Sequence, residues 1–155
     1  MDENYFIAKA IDLAKQNVSA GGGPFGAVIV KNGNIIAEGV NRVTLLKDPT
    51  AHAEVQAIRK ACELLDTFDL SGCEIYCSCE PCPMCFSAIY WSHIGKIYYA
   101  ATHHDAEYAG FADAFIYREV RLKPAERSIL FAKIDHVQKN LPFEEWFKKE
   151  DKERY

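Results

Sequence analysis

Ala27-Val28-Ile29-Val30-Lys31-Asn32-Gly33-Asn34-Ile35-Ile36-Ala37-Glu38 sets two apolar runs on either side of an Asn-Gly pair. A two-residue type I′ turn needs positive φ at both central positions, so Asn-Gly between such runs predicts a β-hairpin. Upstream, Phe6, Ile7, Ala10, Ile11, Ala14 and Val18 recur at the spacing of one helix face, and Gly21-Gly22-Gly23-Pro24 stops that helix. Downstream, Asp48-Pro49-Thr50 reads as a helix entry, with Val55, Ile58, Ala61, Cys62 and Leu65 along one side. Glu74 to Cys77 reads as a third strand, Pro81 to about Ser92 as a helix, and Lys96 to Ala100 as a fourth strand. Ser128 to Ile134 reads as a strand in preference to part of a helix, and Phe143-Glu144-Glu145-Trp146-Phe147 starts a final amphipathic helix. A hairpin followed by alternating helices and strands implies an α/β fold, with helices on both faces of a mixed sheet.

The 155 residues carry no internal repeat, low-complexity tract or linker, so residues 1–155 are expected to form a single domain. The start, Met1-Asp2-Glu3-Asn4, is acidic where a signal peptide is basic, and no apolar run approaches a bilayer-spanning length. The expectation is a soluble, cytoplasmic protein with no membrane partner. A net charge of −4 disfavours a polyanionic partner, because gripping a phosphate backbone takes clustered Lys and Arg. The densest basic stretch, Lys148-Lys149-Glu150-Asp151-Lys152-Glu153-Arg154, is interleaved with acids and reads as a solvated face. No nucleic-acid partner is expected. Gly21-Gly22-Gly23-Pro24-Phe25-Gly26 matches the dinucleotide pattern G-x-G-x-x-G, but it follows a helix and opens a strand, the reverse of what that motif requires.

The six cysteines, at 62, 73, 77, 79, 82 and 85, are better explained by metal binding than by a disulfide framework. His52-Ala53-Glu54 and Pro81-Cys82-Pro83-Met84-Cys85 supply an imidazole and two thiols, a donor set that suits zinc. Pro83 fits a first helical turn, which places Cys82 near an N-cap and aims the helix's positive end at both sulfurs. His52 and Glu54 are two residues apart and would diverge in mid-helix, so both reach one site only from a helix tip. The competing reading is a closed Cys₃His structural site through Cys79, since Cys79-x-x-Cys82-x-x-Cys85 is a nested double C-x-x-C. An iron–sulfur cluster lacks its next cysteine, position 89 being Ile89. A closed site has no use for an acid beside the histidine, whereas an open zinc site needs a base there. The catalytic reading with His52, Cys82 and Cys85 as ligands is therefore preferred.

H-x-E joined to P-C-x-x-C is the signature of zinc nucleobase deaminases. The chain resembles the cytidine deaminase-like superfamily and, within it, the bacterial guanine deaminases. The resemblance rests on Gly22 to Val30, Asp48 to Val55, Ser78 to Cys85, Ala109-Gly110-Phe111-Ala112-Asp113, Phe115-Ile116-Tyr117 and the terminal Tyr155. It implies a three-layer α/β/α fold with a five-stranded mixed sheet, one Zn2+ per subunit and a homodimer. The implied reaction is hydrolytic deamination of a small purine base, guanine, to xanthine and ammonia. Two thiolates neutralise much of the metal's charge, so Glu54 is assigned as the base that takes the water proton, protonates a ring nitrogen and then the departing amine. Asp113 is implied as a second catalytic or base-reading carboxylate, although Ala112 precedes it where relatives often carry another acid; its plain alternative is a helix cap.

Phe25, Asn41, Ala53, Trp91 and Tyr155 are the implied substrate contacts. On residue type alone, Phe25 and Trp91 are as readily core, and Asn41 an Asx-turn residue. The resemblance further implies exchange of residues 140–155 between subunits, Tyr155 closing the partner's pocket. His103-His104-Asp105 reads as an exposed loop, and Cys62, Cys73 and Cys77 as small core residues. The alternatives are a tRNA adenosine deaminase, a guanosine deaminase and, without catalysis, a structural-zinc interaction module. A short tetrameric cytidine deaminase would carry Cys at position 52.

Overall fold

A computed structural model describes residues 2–155. Helix α1 (Glu3–Ser19) leads into β1 (Gly26–Lys31) and β2 (Asn34–Val40), followed by a short α2 (Val43–Leu46) and α3 (Ala53–Leu65). Then come β3 (Cys73–Cys79), α4 (Pro83–Trp91), β4 (Lys96–Ala101), α5 (His103–Tyr108), α6 (Asp113–Arg121) and, near the C-terminus, α7 (Leu141–Lys148). The strand order is β2-β1-β3-β4, antiparallel except for the parallel β3–β4 pair. The predicted hairpin is present, with Asn32 at φ 51° and Gly33 at φ 74°, the two positive φ values of a type I′ turn. None of the helices among the described residues is long and apolar enough to cross a membrane.

Alternation along β1 divides the core in two. Ala27 and Ile29 face α3 and α4, where Ala53, Ala57, Ala61 and Ile89 are buried with them. Val28 and Val30 face α1, where Phe6 lies 4.9 Å from Tyr76 and Tyr76 stacks on Tyr98 at 4.5 Å. Helices therefore cover both faces, as the sequence implies. Two glycines set how close those helices come. A Cβ on Gly26 would lie 2.3 Å from the Ala10 carbonyl oxygen, and one on Gly39 would lie 2.0 Å from that of Ala53. Backbone thus packs directly on backbone, and at Gly39 the helix turn concerned is the first of α3.

The sheet has four strands among the described residues, not the five expected. Residues 128–136 form no strand here; apolar side chains such as Ile129 and Leu130 are exposed, with no strand beside them to pair with. Strand-forming side chains need a sheet edge to pair with, and propensity alone does not supply one. The His103-His104-Asp105 segment, expected as a loop, is instead the start of α5, held by a capping box between Thr102 and Asp105. Cys73 and Cys77 are buried as expected, whereas Cys62 is only half-buried.

Gly39→Ala should destabilise the fold by about 3 kcal/mol or more, the upper end for overpacking, because the obstructing atoms are helix backbone. It should also weaken metal retention, since α3 begins at the metal-binding end. Gly26→Ala should cost comparable stability through α1 with less effect on the metal. Urea unfolding and zinc titration of both variants test this.

Candidate active site

Two helix N-termini converge on one point. His52 is the N-cap of α3 and Cys82 the N-cap of α4, each with extended backbone (ψ 158° and 167°) and Pro83 following at N1. Their unpaired N–H groups and helix dipoles favour negative charge there. The donor atoms of His52, Cys82 and Cys85 all lie within 4.8 Å of one another, and His52 Nδ1 is 3.5 Å from Cys82 Sγ. Zinc bonds nitrogen at about 2.0 Å and sulfur at about 2.3 Å, so one ion fits between all three. The protonation chemistry fits as well. A hydrogen bond from Cys85, then His52, holds the Cys82 thiol down to about 4, while that thiolate and burial push Cys85 up. Holding a cation takes both sulfurs as thiolates, so metal binding favours the loss of both protons.

Glu54 lies in the first turn of α3 at 8% exposure, and burial raises its carboxyl above the usual range. It opens with His52 and Cys82 onto a cavity of about 380 Å³. Phe25 and Phe111 meet edge to face at 4.8 Å on its wall, with Asn41, Glu80, Asp113 and Gly21 to Gly23 completing it. The glycine loop is therefore part of the site, although it cradles no phosphate. Asn41 forms the Asx turn, its Oδ1 accepting from the Val43 N–H at 3.2 Å, and it also lines the cavity. Asn17 fastens that wall, Nδ2 donating to the carbonyls of Gly23 (2.8 Å) and Asn41 (2.7 Å). Asp113 is the first residue of α6, caps nothing, and has its carboxyl raised by burial and by the nearby Cys82.

Ala53 is buried against Gly39 and is not part of the cavity lining. Trp91, 63% exposed, and Tyr155, 72% exposed, stand outside the cavity of their own chain, with their rings 5.9 Å apart. Cys79 is separate from the metal triad: its Sγ donates to the Thr102 carbonyl at 3.4 Å, and burial raises its thiol to about 12. Sequence reasoning missed Asn17, Glu80, His103 and the anchoring of Tyr117. Asn17 alone had a visible sign, a polar residue three positions after Ala14 on the buried helix face.

Residues 1–101 match the cytidine and deoxycytidylate deaminase zinc-binding region. The chain belongs to this deaminase family. It is 51% identical over 156 residues to the guanine deaminase of Bacillus subtilis (strain 168), covering 100% of both chains. The X-ray structure of guanine deaminase from Bacillus subtilis matches it with a TM-score of 0.97 at 51% identity, over 100% of this chain and 99% of that one. A tRNA-specific adenosine deaminase of Aquifex aeolicus (strain VF5) is 44% identical over 115 residues, 74% of this chain and 75% of that one. Like its family, this deaminase takes zinc as cofactor, and His52, Cys82 and Cys85 are the residues positioned to hold it.

Cys79→Ser should leave the zinc content unchanged, whereas Cys82→Ser and Cys85→Ser should each lose the metal. Elemental analysis of the purified variants checks both, and a stoichiometric loss in Cys79→Ser would restore the closed Cys₃His site.

Proposed function

We propose that this deaminase hydrolyses guanine to xanthine and ammonia, with Glu54 as the group that moves the protons. The observation that carries this is the extent of the likeness to guanine deaminase. It runs the whole chain, through the Phe111–Asp113 wall and past residue 101, where the shared zinc-binding region ends. The tRNA deaminase likeness covers only part of the chain, and the acidic balance disfavours binding of a folded polyanion. A cavity of about 380 Å³ lies in the range of small-molecule sites.

Bound zinc supplies Lewis acidity that makes water a nucleophile near neutral pH. Glu54, buried beside the triad, takes the proton that water loses as its oxygen bonds to C2 of guanine. It gives that proton to the adjacent ring nitrogen, then takes the remaining proton from the hydroxyl on C2 and passes it to the amino group, which leaves as ammonia as the C2 carbonyl forms. Phe25 and Phe111 together form an apolar wall for the flat base, the Asn41 amide reads its edge, and Ala53 sets the spacing between His52 and Glu54. Asp113 serves as the second carboxylate, accepting a base N–H or relaying a proton. The unpaired state of all six cysteines suits a reducing compartment, and the proposal includes a cytoplasmic location.

The proposal extends to a single domain that completes its site in a homodimer. In α7 the apolar Phe143 and Phe147 are exposed, as are Ile129, Leu130 and Val137 in the segment before it. An isolated helix of this length is marginal in water, so the arm needs a surface to dock on. Exchange of residues 140–155 would bring Tyr155 to the partner's cavity, and Trp91, beside Tyr155 here, would belong to the same closure. Closure expels water and strengthens the electrostatics around the metal.

Glu54→Gln should retain zinc yet lose about 10²- to 10⁴-fold or more in turnover, and loss of the metal or survival of activity would overturn its role. The unaltered protein should release ammonia from guanine in preference to guanosine, adenine or cytosine, and should form no inosine in a tRNA anticodon loop. Truncation after Lys152 should depress guanine turnover with zinc and fold intact. Subunit exchange with full-length Glu54→Gln should restore part of it, because the inactive subunit lends its tail to an intact zinc site. Heterodimers that recover nothing would refute closure in trans.

A further inference from the structure

The wall that carries Phe111 and Asp113 sits at the junction of α5 and α6, and two attachments tie those helices to the turn before the zinc-binding cysteines. Glu80 Oε2 accepts from the His103 backbone N–H at 3.0 Å and from its ring Nδ1, so both the position and the rotamer of this first α5 residue are held. The carboxylate can only accept, which places the ring proton on Nδ1. In α6, the Tyr117 hydroxyl donates to the Pro81 carbonyl. The two attachments touch, since the rings of His103 and Tyr117 lie 5.1 Å apart. Phe111 hangs from this assembly through its N–H, which donates to the Ala106 carbonyl of α5 at 3.0 Å.

We propose that His103 is a positioning residue. Through Glu80, and together with Tyr117, it latches the α5–α6 wall to the cysteine turn and keeps Phe111 and Asp113 facing Glu54 across the cavity. Its effect on catalysis rests on the guanine reading above; the latch itself does not. The α5 start has its own capping box from Thr102 and Asp105, so removing the His103 side chain leaves the helix formed while freeing its attachment. A base packed against the joint Phe25–Phe111 surface is bound only as well as that wall is placed, and misplacement of about 1 Å costs on the order of 10²-fold.

His103→Ala should raise KM for guanine about tenfold with a smaller fall in kcat, zinc stoichiometry and melting midpoint staying near those of the unaltered protein. Exchange of the Phe111 amide should accelerate. His103→Asn, whose amide N–H can occupy the place of Nδ1–H, should recover most of the KM and the protection. Tyr117→Phe should shift both in the same direction, and the double variant with His103→Ala should fall short of additivity because both act on one wall. Unchanged KM and unchanged Phe111 exchange in His103→Ala would overturn the proposal. So would losses that track zinc or melting midpoint and are not rescued by Asn. Should His103→Ala fail to fold, Tyr117→Phe and His103→Asn carry the same comparison. If the unaltered protein leaves guanine untouched, the functional reading falls, while Phe111 exchange still decides the latch.

Discussion

Everything at the site depends on two helix N-termini converging around the space for one ion. Neither tip is capped by its own side chain, His52 opening α3 and Cys82 opening α4. Together they place three soft donors within 4.8 Å, in a position where both helix dipoles favour the anionic thiolate form. The sheet fixes that convergence. The Gly39 site lets the first turn of α3 rest on β2, and β3 runs straight into the cysteine turn that opens α4. The metal then neutralises charge that burial would otherwise make costly, so folding and metal binding reinforce each other.

Burial does different work on the neighbouring acids. Desolvation raises the carboxyls of both Glu54 and Asp113. Glu80 is at the same cavity, yet the His103 N–H and ring offset its burial and hold it below the usual carboxylate range. Three acids around one small space are therefore tuned in opposite directions, and hydrogen-bond partners rather than residue type decide which way each moves.

The parts legible in the sequence were those specified by local chemistry. Asn32-Gly33 carries its turn in two residues, Pro83 marks a helix start, and the spacings His52-x-Glu54 and Cys82-x-x-Cys85 already imply a helix tip and a shared ligand face. What stayed hidden is long-range or negative. His103 meets Glu80 across 23 residues and Tyr117 meets Pro81 across 36, separations at which no periodicity operates. The start of α5 was legible after all, in Thr102-x-x-Asp105, but the adjacent histidines drew the reading toward a loop. The fifth strand failed for a different reason. Residues 128–134 have the composition of a strand, yet strand formation takes a partner edge alongside, and this segment pairs with neither open edge of the sheet, β2 or β4.

This asymmetry also divides the molecule by rigidity. The triad is seated on elements packed from both faces of the sheet, with Ala53, Ala57, Ile75 and Ile89 at or below 1% exposure. The substrate side of the cavity is hung from side-chain hydrogen bonds, one loop strap from Asn17 and the two ties to the cysteine turn. A hydrogen bond contributes about 1 kcal/mol where a buried aliphatic side chain contributes about 2, so the wall opens more easily than the metal seat. Such a division suits hydrolysis of a flat, buried base. The wall can yield to a base entering or a product leaving, while the metal ligands and Glu54 keep their spacing on the stronger side.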